Sequence, residues 1–268
     1  MSTTPNILDK IIAQKRLEVA ERQELYPVRL LEKSLYFNST PVSMRKYIQR
    51  PDLSGIIAEF KRKSPSKGII NAHAPVERTT IGYMQAGASA LSVLTDKPFF
   101  GGSNEDLTLA RRFNFCPIIR KDFTIDEYQV LEAKSIGADA ILLIAAVLTP
   151  AESKTLAALA HSLGMEVLLE VHDEAELQQN LDVGADMIGV NNRNLKTFEV
   201  SIEISKRLAP LIPASVVKVS ESGISSPETI RILREVGYEG FLMGENFMKH
   251  SRPEKAALEF IEQLTARV

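Results

Sequence analysis

The chain carries a single cysteine, Cys116. One thiol makes no internal disulfide and no cysteine-rich zinc site, and between Phe115 and Pro117 it reads as a small buried hydrophobe. A basic excess is missing too. The 32 Lys+Arg against 34 Asp+Glu leave a formal charge of −2, so the sequence-independent pull on a phosphate backbone is absent. Nucleic acid is not an expected partner, and any anion held here is small and held locally. The longest apolar run, Ala140 to Leu148, has nine residues, against the ~18 that suggest a membrane span. The stretch from Met1 to Gln14 carries Asp9 early and lacks the continuous apolar segment of a signal peptide. The expectation is a cytoplasmic protein without a membrane partner. His73, His161 and His250 have no Cys or acidic residues at metal spacing, so no metal is expected. No linker-like tract divides the 268 residues.

What the chain does have is a repeat. With 44% hydrophobic and 25% charged residues it can bury a sizeable core. Gly87-Ala88-Ser89-Ala90-Leu91, Gly137-Ala138-Asp139-Ala140-Ile141, Gly184-Ala185-Asp186-Met187-Ile188 and Gly237-Tyr238-Glu239-Gly240-Phe241 recur at intervals of 50, 47 and 53 residues. Each glycine follows a helical pattern and precedes an apolar run, as a helix C-cap feeding a strand does. Four further runs alternate with them: Gly55 to Phe60, Pro117 to Lys121, Met165 to Val171 and Ser215 to Ser220. Helix starts are signed by Ser or Thr with Glu three residues on, at Thr124/Glu127, Thr149/Glu152, Ser225/Glu228 and Ser251/Glu254. Pro150 and Pro227 sit where an early-helix proline is tolerated.

Eight strand-then-helix units with near-continuous apolar strands predict a parallel sheet covered by helices. Residues 51–268 allow about 27 residues per unit, which suits an α/β protein of the (β/α)8 TIM barrel type. An open doubly wound sheet is the alternative, and it usually carries a Gly-rich turn after the first strand. Glu59-Phe60-Lys61-Arg62-Lys63-Ser64 has no glycine. Residues 1–50 fall outside the repeat. Thr4-Pro5-Asn6 leads into Ile7, Leu8, Ile11, Ile12 and Val19 at helical spacing, with Glu18 and Arg22 as an i,i+4 pair on the other face. The prediction is one barrel domain over 1–268, of which 1–50 is an N-terminal helical extension reaching the mouth.

In such a barrel the active site lies at the C-terminal ends of the strands, and strand residues two apart share a face. Glu59 and Lys61 end strand one, Lys121 strand three, Glu170 strand five and Asn191 strand six, with Arg193 two residues on; Ser220-Glu221-Ser222-Gly223 ends strand seven. Two carboxylates and two lysines converging on one mouth tune one another's protonation for acid–base work, or form a structural ion-pair network. Ser222-Gly223 and Gly244-Glu245-Asn246 put glycines after strands seven and eight, where barrels commonly bind phosphate. His172, between Glu170 and Asp173, reads as a loop histidine. Lys61-Arg62-Lys63 is too short for a nucleic-acid patch, and only Lys61 has the inward phase.

Several blocks, in order along nearly the whole chain, make the sequence recognisable. They are Ala58-Glu59-Phe60-Lys61-Arg62-Lys63-Ser64-Pro65-Ser66, Leu94-Thr95-Asp96, Phe99-Phe100-Gly101-Gly102-Ser103, Arg120-Lys121-Asp122-Phe123, Leu169-Glu170-Val171-His172, Gly189-Val190-Asn191-Asn192-Arg193-Asn194-Leu195 and Ser220-Glu221-Ser222-Gly223-Ile224. Together they closely resemble the indole-3-glycerol-phosphate synthase family of tryptophan biosynthesis. The Glu-x-Lys-x-x-Ser-Pro-Ser block is the most specific part of the match. The resemblance implies a (β/α)8 barrel with an N-terminal helical extension and without metal or organic cofactor. It also implies a phosphorylated small-molecule substrate, 1-(2-carboxyphenylamino)-1-deoxyribulose 5-phosphate, converted to indole-3-glycerol phosphate, carbon dioxide and water. A monomer is the expected state.

The catalytic set so implied is Glu59, Lys61, Lys121, Glu170, Asn191 and Ser222. Ser222, Gly223, Gly244 and Glu245, with Ser64 nearby, resemble the phosphate grip, and Phe100, Phe123 and Leu142 the flanks of the aromatic ring. Arg193 and Glu221 complete the substrate-binding set. Some family members carry serine at residue 245, and a carboxylate beside a phosphate repels it, so only the backbone N–H of Glu245 fits that task. The chemistry asks for a proton donor to the ketone, assigned to Lys121 with Asp122 keeping it charged, and for a cation on the substrate carboxylate, assigned to Lys61. An acid and a base for dehydration follow, divided between Glu170 and Glu59 if their pKa values are pushed apart. The rival enzyme is another phosphosugar barrel such as phosphoribosylanthranilate isomerase, which lacks the Glu-x-Lys-x-x-Ser-Pro-Ser block. A non-catalytic sugar-phosphate sensor would keep the glycines and lose the acid–base pairs.

Overall fold

The computed structural model describes residues 6–194 and 197–266; Thr4, Pro5 and Leu195, named above, lie outside that range. Eight parallel strands form the sheet: β1 (Ile56–Phe60), β2 (Ala90–Leu94), β3 (Ile118–Lys121), β4 (Ala140–Ile144), β5 (Glu166–Val171), β6 (Met187–Asn191), β7 (Val217–Glu221) and β8 (Gly240–Met243). Because β1 pairs with both β2 and β8, the sheet closes into a barrel and has no edge. This is the (β/α)8 architecture, with α4 (Val76–Gln85), α6 (Asn104–Phe113), α10 (Glu203–Leu208) and α12 (Glu245–Met248) among the helices of the chain, and the open sheet is excluded. The strands read as apolar throughout because both faces are covered. Ile57, Ile119, Leu142, Leu168, Val219 and Leu242 pack inside the barrel, while their neighbours Ile56, Ala58, Ile118, Ile141, Leu143 and Leu169 pack with the helices outside.

The repeat glycines behave as predicted. Gly87, Gly137, Gly184 and Gly237 have φ of 96, 94, 85 and 92°, a left-handed backbone in which a side chain costs roughly 1–2 kcal/mol. Of the four capping boxes, one forms: Thr149 and Glu152 bond reciprocally at the start of α8 (Pro150–Ser162). Elsewhere a closer residue takes the cap. Asp126 caps α7 (Glu127–Ile136) in place of Thr124. Ser226 caps α11 (Pro227–Glu235) in place of Ser225, since Pro227 already occupies the first turn. Pro253 likewise fixes the start of α13 (Pro253–Thr265), where Ser251 is outside and Arg252 gives no side-chain cap.

Three helices precede β1: α1 (Ile7–Leu25), α2 (Val28–Leu31) and α3 (Met44–Ile48). They close the barrel at both ends. Met44 and Ile48 of α3 join the interior cluster, each buried apolar side chain stabilising by about 1.5–3 kcal/mol. Ile7, Leu8 and Ile11 of α1 line the cleft at the other end. The predicted Glu18–Arg22 pair does not form. Arg22 instead forms an ion pair across the helix–barrel seam with the buried Glu132 of α7, and Glu18 pairs with Lys15, one turn back on α1, at 2.7 Å.

Nothing in the local sequence pattern marks Lys15, yet it anchors the seam between α1 and the barrel. It is 4% exposed and its ammonium sits 2.9 Å from both Asp96 and Asp122. Arg120, 4% exposed, bonds Glu132 at 2.6 Å and Asp122 at 3.3 Å. A continuous run of charges, Lys15–Asp122–Arg120–Glu132–Arg22, therefore ties two turns of α1 to the barrel. Burial opposes ionisation of Asp122, but Lys15 and Arg120 prevail and hold it down to about 2.

Removing one member of a buried pair leaves its partners charged and unpaired. Lys15→Met is expected to cost about 3–5 kcal/mol at pH 7, measured by urea unfolding. Since the folded value of Asp122 lies below the unfolded ~3.9, its contribution is complete above pH ~4 and lost as pH falls toward 2. The gap between variant and wild type should therefore narrow below pH ~4. Equal stability at pH 7 would show that the network contributes nothing to docking α1.

Candidate active site

Strand alternation decides which side chains meet at the C-terminal mouth. Glu59 and Lys61, Lys121, Glu170, Asn191 and Glu221 come from β1, β3, β5, β6 and β7, all in the inward phase, and all line one cleft of about 580 Å³. That volume is typical of a small-molecule site. The other residues named from the sequence, Ser64, Phe100, Phe123, Leu142, Arg193, Ser222, Gly223, Gly244 and Glu245, line it as well.

The polar floor is built around Lys121. Its Nζ lies 2.5 Å from Glu221 Oε2 and 3.3 Å from Glu170 Oε2, and α/β packing leaves the side chain 13% exposed. Glu170 Oε1 accepts a hydrogen bond from Asn191 Nδ2 at 3.1 Å. Glu59 accepts from Lys61 Nζ at 2.7 Å and from Ser92 Oγ at 3.1 Å. Asp122 plays no part in this group. One residue further along β3 it faces outward to Lys15, so the partner expected to keep Lys121 charged is replaced by Glu221 and Glu170.

The three carboxylates do not share one electrostatic fate. Burial pushes each up; for Glu59, Lys61 and Lys121 overcome this and lower it. Glu170 is held well below the usual carboxylate range by Lys121, His172 and Asn191. Glu221 ends up at about 7, because burial and the charges of Glu170 and Glu59 outweigh Lys121. Lys121 is raised by Glu221, Glu170 and Glu59 against the effect of its burial. The expected divergence between Glu170 and Glu59 is thus absent, both being lowered, and the diverging pair is Glu170 and Glu221. Glu221 was read from the sequence as a binding residue; its burial, 2% exposed, was not visible there. Gly189 on β6 makes the room, since a Cβ there would overlap Glu221 Oε1.

Phe100 and Phe123 form an aromatic wall, ring centroids 6.0 Å apart and tilted by 39°. Phe100 ends α5 (Lys97–Phe100), which Asp96 caps. At the opposite end Ser222 and Gly223 are both left-handed, with φ of 66 and 76°. A serine in that conformation carries strain of order 1 kcal/mol that the surroundings must enforce. A Cβ on Gly223 would meet Val200 Cγ1 at 2.6 Å, and one on Gly244 would meet Glu59 Oε1 at 2.7 Å. These glycines therefore make room for a neighbouring side chain, where the sequence suggested only room for an anion. The Glu245 side chain lies 3.4 Å from Lys67 and 3.9 Å from Arg193, so its charge is met by two cations. Among the described residues no group of three His, Cys, Asp or Glu side chains is arranged to hold a metal ion, and no helix is long and apolar enough to cross a membrane.

An acid–base cluster at the C-terminal mouth, an aromatic wall and a glycine-lined end define a (β/α)8 barrel of enzyme type. Solved barrels of low identity share the fold: 3-hexulose-6-phosphate synthase from Salmonella typhimurium (TM-score 0.61, 13% identity, 78% of this chain and 97% of that one). N-acetylmannosamine-6-phosphate 2-epimerase from Clostridium perfringens is similar (TM-score 0.60, 16% identity, 82% and 96%). The family model described as indole-3-glycerol phosphate synthase matches residues 8–260. A relative of that name from Bacteroides thetaiotaomicron is 49% identical over 97% of this chain and 99% of its own length. Another from Polaromonas naphthalenivorans is 44% identical over 95% and 98%. The chain belongs to the indole-3-glycerol phosphate synthase family.

The environment of Glu221 makes a prediction. Carboxylate infrared bands of the free protein should show one group titrating near pH 7, lost in Glu221→Gln. A titration confined to pH 3–5 would mean that Lys121 alone sets the Glu221 charge.

Proposed function

We propose that the protein is a carboxy-lyase that closes the indole ring of 1-(2-carboxyphenylamino)-1-deoxyribulose 5-phosphate, releasing carbon dioxide and water to give indole-3-glycerol phosphate. The observation that carries this reading is the Lys121 ammonium held between Glu221 and Glu170 in the cleft that Phe100 and Phe123 also line. The resemblance of the quoted blocks and the family membership support it.

Ring closure requires the aromatic carbon bearing the carboxylate to attack the ketone, whose oxygen gains charge and must take a proton. Lys121 donates that proton. Glu221, 2.5 Å away and carrying a proton near neutrality, resupplies it. Lys61 holds the substrate carboxylate until carbon dioxide leaves, giving up part of its contact with Glu59 as it does so. Asn191 and Arg193 support the same end of the substrate, with the Arg193 backbone N–H donating to Asn191 Oδ1 at 3.0 Å. In the dehydration the departing hydroxyl takes a proton and the methylene carbon between the nitrogen and the former ketone carbon gives one up, which closes the indole double bond. Glu170, low and ionised, is the base; Glu221, reprotonated from solvent after resupplying Lys121, is the acid in place of Glu59. The phosphate lies at the end formed by Ser64, Ser222, Gly223, Gly244 and the Glu245 backbone.

Purified protein incubated with the anilino-deoxyribulose phosphate should produce indole fluorescence, and no signal at micromolar enzyme would end the lyase reading. General acid catalysis is worth ~10²- to 10⁴-fold, so Lys121→Met should lower kcat by about that much with little change in KM. Lys61→Met should act mainly on KM, because the bound carboxylate loses its counter-charge. The reverse pattern would exchange the two assignments. Gly223→Val, strained by its φ and crowding Val200, should weaken substrate and product binding alike. A fall in kcat alone would remove the phosphate from that end of the cleft.

A further inference from the structure

His172 has no role in the reaction as described. It stands two residues past Glu170 in the same strand phase, just before α9 (Glu174–Gln179), with a side chain 12% exposed. Its ring lies between two carboxylates. Nδ1 is 3.1 Å from Glu176 Oε2, and the same oxygen accepts from the His172 backbone N–H at 2.8 Å. Nε2 is 3.2 Å from Glu170 Oε1, without the alignment of a hydrogen bond, so charge carries that contact. Glu176 is itself fixed on α9, where its N–H donates to the N-cap Asp173 at 2.9 Å.

We propose that His172 is a positioning residue: gripped by Glu176, it holds Oε1 of the Glu170 carboxylate and gives it a second positive neighbour, while Lys121 takes Oε2. The inference rests on Glu170 being the base of the function proposed above and adds a residue set behind the cleft wall. The charged groups facing His172 are Glu170 from β5 and Glu176 from α9. Behind Glu170 stands Lys121 of β3, and behind Lys121 stand Glu221 of β7 and Glu59 of β1. Burial alone would lower the pKa of the ring; Glu170 and Glu176 outweigh it and take it up to about 10. The ring is thus an imidazolium at neutral pH, and two cations on one carboxylate keep Glu170 unprotonated. The order Glu176–His172–Glu170–Lys121–Glu221 alternates in sign from α9 to the acid on the far side of the mouth.

The test uses the full chain labelled with 15N-histidine. In the wild type both His172 ring nitrogens should carry protons at pH 8, and Glu176→Gln, which removes one counter-charge, should bring the His172 titration down by about one unit or more. The alkaline limb of kcat should move down in step with it. His172→Gln should lower kcat about tenfold with KM within about threefold, as expected for a misplaced base. A neutral His172 at pH 8, a Glu176→Gln profile superimposable on wild type, or a His172→Gln variant with wild-type kcat would each overturn the inference. If His172→Gln does not fold, the titration and Glu176→Gln decide alone. Glu170→Gln separates the two readings: full activity there removes Glu170 from the chemistry and this inference with it, whereas an inactive Glu170→Gln beside a silent His172→Gln overturns only the role of His172.

Discussion

The Lys121 ammonium is the charge on which the mouth of the barrel depends. Glu59, Glu170 and Glu221 converge there almost wholly buried, and carboxylates taken out of water repel one another strongly enough that they would protonate or move apart. A cation 2.5 Å from one and 3.3 Å from another lets them stay close. It does not treat them equally. Glu170 also has Asn191 and His172 and is lowered, while Glu221, facing the other carboxylates, is raised to about 7. One cation with unequal surroundings thus lowers one carboxylate and leaves another raised, although both are the same residue type.

The second consequence of Lys121 lies in its neighbours on β3. Alternation sends Lys121 inward and Arg120 and Asp122 outward, where they meet Glu132, Lys15 and, through Glu132, Arg22. The strand that presents the central ammonium is therefore also the strand to which α1 is tied. Asp96, the other anchor of Lys15, caps the short helix that ends in Phe100. Docking of the N-terminal helix, the position of Lys121 and the aromatic wall are mechanically linked through two buried aspartates.

Much of this was legible in the chain. The spaced glycines, the apolar runs and the polar residues at their ends are local patterns, and local patterns fix a parallel barrel and the phase of each strand. Glu59, Lys61, Lys121, Glu170 and Asn191 could be placed on one mouth because two-residue periodicity survives in any strand. Helix caps were less legible: Asp126 and Ser226 compete with Thr124 and Ser225 one or two positions away, and the choice turns on backbone geometry.

Convergence of the mouth residues was legible, but which partner each charge meets across elements was not. Glu18–Arg22 looked like a pair because it is close in sequence, yet Arg22 is joined to a residue 110 positions away. Asp122 looked like the counter-ion of Lys121 for the same reason and faces the other way. His172 reads as a loop histidine and does lie in the bend between β5 and α9, but its place between Glu170 and Glu176 depends on how α9 packs. Period and residue type are local to the chain, and the barrel, the mouth and the inventory of charged groups follow from them. Which carboxylate holds a proton, and which cation it answers to, was decided by the tertiary structure, because burial and Coulomb attraction depend on distances that closing the barrel creates.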